Sequence, residues 1–308
     1  MSGKAAPLRV AVIGARRVRQ GTGPFLALQA AAAGAEVVGV WGTREASAAE
    51  AAAWLGERGV SCPAFTDWID LLAEAEPQAL VIAGPHGTHA EWLARARGAR
   101  LHVLCEKPLE PGRPAPELAR DFAAAGLVLR ENCQWPCTLA DFRRLHPQLD
   151  LAAASRFRMR MSPPMAGAQA WVELLSHPLS LLQAVAPGPV ELLSPRFLDG
   201  ATLRFGWRTA RQELSCEVLA RVTDAYPRPA EYAFDDHLMR REVEEPGYRF
   251  FFADGAGRRV EAEDPMPRSV AAFVRDATVA RDDHRAPMDE DLVRRQGLFD
   301  RILAAWPG

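Results

Sequence analysis

The chain has 308 residues, 48% hydrophobic and 25% charged, with a formal net charge of −2. That is the balance of a globular protein long enough for two cores, and it excludes a strongly basic surface for nucleic acid or anionic membrane. Its five cysteines are odd in number and scattered, which excludes a disulfide framework.

In chain order, the first half alternates between short apolar runs and helical segments. Leu8–Gly14 reads as a strand and Pro24–Ala33 as a helix with a proline in its first turn. Strand Glu36–Trp41 and helix Ala48–Arg58 follow, the latter behind a Ser47 cap. Next come a short strand at Pro63–Phe65 and helix Asp67–Ala75 behind a Thr66 cap. Strand Ala79–Gly84, helix Thr88–Gly98, strand Leu101–Glu106, helix Pro116–Ala124 and strand Leu127–Arg130 complete the series. Strands apolar on both faces, alternating with helices, predict a doubly wound parallel sheet of Rossmann type, which binds ligands at the carboxyl ends of its strands.

Beyond a helix at Leu139–Leu145 the pattern changes. Ala153–Met161, Gly200–Trp207, Leu214–Val222, Ala230–Phe234 and Tyr248–Ala253 read as strands, with a turn at Ala253–Gly257. One helical stretch, AWVELLSHPLSLLQAV, interrupts them, and Ser269–Ala280 and Met288–Trp306 return to helix. The expected architecture is an α/β dinucleotide-binding domain over 1–135. An α+β substrate and oligomerisation domain with a mostly antiparallel sheet follows over 136–308, and its last helices pack back on the first domain. The N-terminus MSGKAAPLRV lacks the apolar core of a signal peptide, and no segment is apolar enough to span a membrane, so a cytoplasmic protein is expected.

The first turn decides whether a nucleotide binds. In VIGARRVRQGTGPF the glycines do not follow G-x-G-x-x-G. Gly14 supplies the turn, Arg16 stands where the second glycine belongs, and Gly21-Thr22-Gly23 comes only before the helix. Arg16 and Arg17 (with Arg19) offer guanidinium groups to a pyrophosphate, and the glycines offer backbone N–H donors at a helix start. A solvated basic loop is the alternative. At the end of the second strand Thr43 and Arg44 stand where an acid would bind a ribose 2′-hydroxyl, which favours NADP, with NAD the other possibility.

The stretch VIAGPHGTHAEWLARARGARLHVLCEKPLEP resembles the Gfo/Idh/MocA oxidoreductases. Gly84-Pro85, His89, Gly98-Ala99 and Glu106-Lys107-Pro108 carry that resemblance, and ENCQW, LLSHPLSLL and EDLVRRQGLFDRIL extend it through the chain. It implies a cofactor site that includes Pro85, His89, Glu106 and Pro108. It further implies that Lys107 polarises the substrate, that the Lys107–Pro108 bond is cis, and that the substrate is a sugar-like alcohol or ketone, or an imine. Lys107 ends a strand, where an ammonium can polarise a reacting oxygen. In the substrate-domain helix Glu173, His177 and Ser180 fall at i, i+4 and i+7, with His177 as proton acceptor and Glu173 as a catalytic carboxylate. Pro178 and Ser180, in place of the family's aspartate, depart from the pattern, and a structural histidine competes with the catalytic one. Gln134, Trp135, Trp171 and Ser180 are candidate substrate contacts.

Asp235-Asp236-His237 cannot converge from one strand, and no metal is expected. The family's second domains also lead one to expect a homodimer or higher homo-oligomer. A sensor that binds the nucleotide without turnover is the rival to an enzyme, and Lys107 argues against it.

Overall fold

The computed structural model describes residues 6–16, 22–109, 115–246 and 248–307. They fall into two compact units, Met1–Asn132 with Met266–Leu292, and Cys133–Pro265 with Val293–Gly308. The units divide after Asn132, and the division is not contiguous, because residues 266–292 group with the first unit.

In the first unit the elements are β1 (Arg9–Ile13), α1 (Gly23–Ala32), β2 (Glu36–Trp41), α2 (Glu45–Gly56), β3 (Ala64–Phe65) and α3 (Trp68–Ala75). They continue with β4 (Ala79–Ile82), α4 (His89–Gly98), β5 (His102–Cys105), α5 (Ala115–Ala124) and β6 (Leu129–Glu131). The strands form one parallel sheet in the order β3-β2-β1-β4-β5-β6. The strand order reverses between β1 and β4, the switch point where an open α/β sheet leaves a crevice. Val10, Val12, Val81 and Leu104 are buried because helices cover both faces.

Two expected caps are corrected. Helix α2 starts at Glu45 behind Arg44, and the Ser47 hydroxyl donates to the Arg44 carbonyl at 2.8 Å from inside the helix. Helix α3 is capped by Asp67, whose carboxylate accepts from the Ile69 and Asp70 N–H groups at 2.6 and 3.1 Å. A carboxylate satisfies two donors where the Thr66 hydroxyl would satisfy one.

The second unit begins with a 3-10 turn at Trp135–Thr138 and α6 (Leu139–Leu145), then β7 (Arg156–Met161), α7 (Ala168–Leu174) and α8 (Ser176–Val185). Strands β8 (Glu191–Phe197), β9 (Thr202–Arg208), β10 (Glu213–Ala220), β11 (Ala230–Phe234), β12 (His237–Glu244), β13 (Arg249–Ala253) and β14 (Arg259–Ala262) follow. The eight-stranded sheet runs β14-β13-β12-β11-β7-β10-β9-β8, and only the β10–β7 pair is parallel. Its apolar face, with Phe157, Trp207, Val218 and Tyr232, packs with Phe142, Trp171 and Leu181 into one core. The opposite face carries ion pairs such as Arg204–Glu217, Arg208–Glu191 and Arg259–Glu242.

Strands β8, β12 and β14 escape the sequence reading for one reason: their outward positions are charged, so the apolar run is broken. Strand β8 also holds Pro195 and an irregular register between Leu193 and Arg196, which an edge strand tolerates.

The final helices are α9 (Pro265–Asp283) and α10 (Glu290–Leu303). Helix α9 puts Val270, Phe273 and Ala277 into the core of the Rossmann unit. Arg130 of β6 forms an ion pair with Asp276 of α9.

Candidate active site

Three loops at the carboxyl ends of β1, β4 and β5 build the site in the Rossmann unit. The first turns at Gly14, whose φ of +83° favours glycine; a Cβ there would lie 2.7 Å from the Ala83 carbonyl oxygen and 2.8 Å from the Gly84 nitrogen. A Cβ on Gly23 would overlap the Gly14 carbonyl. Gly23 therefore allows α1 to meet β1, the task of the third glycine in the usual fingerprint. The Thr22 side chain makes no capping hydrogen bond, so the helix start is not closed by its own cap. A glycine turn, a bare helix N-terminus and the exposed Arg16 fit a pyrophosphate. Arg17 and Gly21 lie outside the described residues.

At the end of β2, Thr43 and Arg44 are exposed, and Arg44 is the extended residue that precedes α2. Trp41 packs edge-on to Trp92, with ring centroids 4.5 Å apart, and Trp68 flanks the same ring at 5.7 Å. This aromatic cluster, which the linear sequence does not advertise, stiffens the corner from which Thr43 and Arg44 project.

The second loop is held by Thr88, whose hydroxyl donates to the Pro85 carbonyl at 2.8 Å; Pro85 itself is exposed. His89 opens α4 and is 1% exposed. Its Nδ1 lies 2.8 Å from the Pro108 carbonyl and its Nε2 3.1 Å from the Gly84 carbonyl. Both ring nitrogens face backbone, so the expectation of a direct cofactor contact is corrected: the side chain is buried between two loops.

The third loop carries Glu106, Lys107 and Pro108. The Lys107–Pro108 bond is cis, and Lys107 is half-buried at the end of β5. The Asn132 side-chain amide donates to the Glu106 carboxylate at 2.6 Å, and Ser269 of α9 donates to the Asn132 carbonyl oxygen at 2.9 Å. Burial raises the Glu106 pKa, opposed by the Lys107 charge, the Asn132 hydrogen bond and the His89 charge. Asn132 and Ser269 are the residues the sequence reading missed. They come from β6 and from a helix more than a hundred residues away, though Asn132 lies within the ENCQW signal.

One sequence signal also went unused. Lysine and arginine together number 37, yet only Lys4 and Lys107 are lysines. This chain places arginine at nearly every solvated cationic position, so a lysine at the end of β5 marks a position where a compact ammonium is wanted.

In the second unit the outcome is mixed. Glu173 sits half-buried in the last turn of α7, and His177 is 6% exposed in the first turn of α8. Pro178 lacks the N–H that would reach back to Leu174, so the expected single helix is split at Leu175, whose backbone stays helical. His177 packs against Trp135, with ring centroids 6.4 Å apart.

The expected substrate contacts Trp135, Trp171 and Ser180 are corrected. Trp135 is 4% exposed in the core beside Tyr232. Trp171 is 0% exposed and donates Nε1–H to the Gly200 carbonyl at 3.0 Å. The Ser180 hydroxyl donates to the His177 carbonyl at 2.9 Å, a local back-bond. Gln134 is half-buried ahead of the 3-10 turn, and its carbonyl accepts from the Cys137 N–H. Asp235, from the metal-like run, accepts from Ser155 and Arg156 and is structural.

Residues 8–132 match the family model named for Gfo/Idh/MocA and described as an oxidoreductase family with an NAD-binding Rossmann fold. A D-xylose 1-dehydrogenase (NADP+) from Haloferax volcanii is 34% identical over 106 residues, covering 34% of this chain and 30% of that protein. A dTDP-3,4-didehydro-2,6-dideoxy-α-D-glucose 3-reductase from Actinomadura kijaniata is 46% identical over 65 residues, covering 20% of this chain and 19% of that protein. The matches thus span less than a third of either relative. Among solved structures, a 3-ketoreductase from Actinomadura kijaniata in complex with NADP and TDP-benzene superposes with a TM-score of 0.70 at 22% identity, covering 97% of this chain and 98% of that one. At that identity the likeness shows the fold.

Proposed function

We propose that the chain, whose residues 8–132 match the Gfo/Idh/MocA oxidoreductase family model, is an NADP-preferring oxidoreductase acting on a ketone or alcohol of a sugar-like substrate. A nucleotide-linked sugar is the preferred class, because the 46% identical segment belongs to a reductase of a dTDP-linked sugar. The bound dinucleotide supplies or accepts the hydride.

The chain's own residues do the rest. Gly14, Gly23 and the start of α1 receive the pyrophosphate, and Thr43 with Arg44 receives the 2′-phosphate. Lys107 brings an ammonium to the reacting oxygen and stabilises the charge that develops on it. His177 exchanges the proton, with Glu173 as the carboxylate of that helix pair. The observation that carries the reading is Lys107, one of two lysines in the chain, at the carboxyl end of β5 next to the switch point of the sheet.

Calorimetric titration with NADPH, NADH and their oxidised forms is the first test, followed by turnover on dTDP- and UDP-linked keto sugars, D-xylose and inositol. Tight NADPH binding with turnover on one sugar class supports the proposal. Binding without turnover on any of them supports a sensor, and no binding by any of the four nucleotides removes the proposal altogether.

A further inference from the structure

We infer that His89 is a positioning residue for Lys107, tying the loop after β4 to the loop after β5 so that the ammonium stands at a fixed distance from the dinucleotide loop. This rests on the reading of Lys107 as the group that polarises the substrate.

The physical case begins with the cost of burying a polar ring. His89 occupies the first position of α4 at 1% exposure, where an apolar side chain would pack without a desolvation penalty. The imidazole spans two carbonyl oxygens instead, Pro108 at 2.8 Å and Gly84 at 3.1 Å. Carbonyl oxygens only accept. A neutral ring carries one N–H and serves one of them; the imidazolium serves both.

What those carbonyls belong to gives the ring its role. Pro108 follows Lys107 directly in the chain, so its carbonyl anchors the loop one residue beyond the lysine. Gly84 is the residue whose nitrogen a Cβ on Gly14 would meet at 2.8 Å; the β4 loop rests directly on the dinucleotide turn. The contacts therefore run from the Gly14 turn to Gly84, through the His89 ring to Pro108, and so to Lys107. Within this unit, that hydrogen-bonded bridge joins the nucleotide loop to the lysine loop through a side chain. Catalysis by an ammonium depends on its placement, and a displacement of about 1 Å costs on the order of 100-fold in rate.

The composition of the chain supplies a reporter. Reductive methylation with 13C-formaldehyde labels the N-terminal amine, Lys4 and Lys107 and no other side chain, and Lys107→Arg assigns the Lys107 resonance. The variants are His89→Phe, which keeps an aromatic ring and removes both ring nitrogens, His89→Leu as a second apolar replacement should the first not fold, and His89→Gln, which restores an amide donor.

The inference expects the Lys107 resonance to move towards that of Lys4 in a folded apolar variant, and to return part of the way in His89→Gln. NADPH affinity stays within about twofold, while kcat falls on the order of 100-fold with KM little changed. An unmoved Lys107 resonance in a folded His89→Phe or His89→Leu protein overturns the inference and leaves His89 as a packing residue. Absence of turnover by the unmodified protein is a failure of the functional reading instead, and the resonance still decides whether His89 places Lys107.

Discussion

Gly14 and Gly23 are nine residues apart in sequence and meet as backbone: a Cβ on Gly23 would overlap the Gly14 carbonyl and come within 3.0 Å of the Ala15 Cα. Two glycines of the usual fingerprint are thus present in function, separated by a longer connection. Gly23→Ala is expected to push α1 away from β1, with a loss of about 1–3 kcal/mol in stability and at least tenfold in NADPH affinity. Thermal unfolding and calorimetry on the same variant check both, and unchanged affinity would detach the turn from nucleotide binding.

Arg44→Ala tests the 2′-phosphate assignment. A charge-assisted hydrogen bond contributes about 1.5–3 kcal/mol, so NADPH binding should weaken by roughly 10- to 100-fold while NADH binding stays the same. An equal loss for both nucleotides would mean that Arg44 supports the fold of the loop.

Lys107→Ala should lower turnover by about 100- to 10,000-fold with NADPH affinity preserved. Lys107→Arg keeps the positive charge but spreads it over a planar group, and should rescue little of that loss. Full activity of the arginine variant would reduce the role of Lys107 to simple charge.

Glu106 gives a pH dependence with a definite sign. Burial raises its folded-state pKa above the unfolded value, so its contribution to stability is fully present below the unfolded pKa and is lost as pH rises through the folded pKa. Glu106→Gln keeps an acceptor for Asn132 and removes the titration. Melting temperatures across the acid to neutral range should therefore fall less with rising pH in the variant than in the parent. Parallel curves would show that Glu106 titrates alike in both states.

Asp67→Ala removes the cap of α3 and should cost about 1 kcal/mol, read from chemical denaturation.

The parallel half of the fold was legible because its central strands β1, β2, β4 and β5 are mostly apolar and buried, and local sequence reports that directly. Helix α6 and strand β11 were bounded correctly for a similar reason, since their apolar positions keep strict helical or alternate spacing. Strands β12 and β14 were not legible: HLMRREVE and RVEA alternate with arginine and glutamate, and only pairing with their neighbours makes them strands. The site divides in the same way. Lys107 was singled out through the Glu-Lys-Pro resemblance and the Gly14 turn through its place after the first strand, whereas Trp135, Trp171 and Ser180 look like pocket residues until their burial is known.

The sequence by itself determined the alternation of strand and helix, the parallel class of the first sheet, and the kind of cation placed after β5. These follow from short-range periodicity and residue chemistry. The tertiary structure decided that Gly23 does the work of a nearer glycine, that His89 joins two carbonyls, and that Ser269 orients Asn132 behind Glu106. Each depends on chain segments brought together by burial of the core, and a contact between distant segments has no period in the sequence from which to read it.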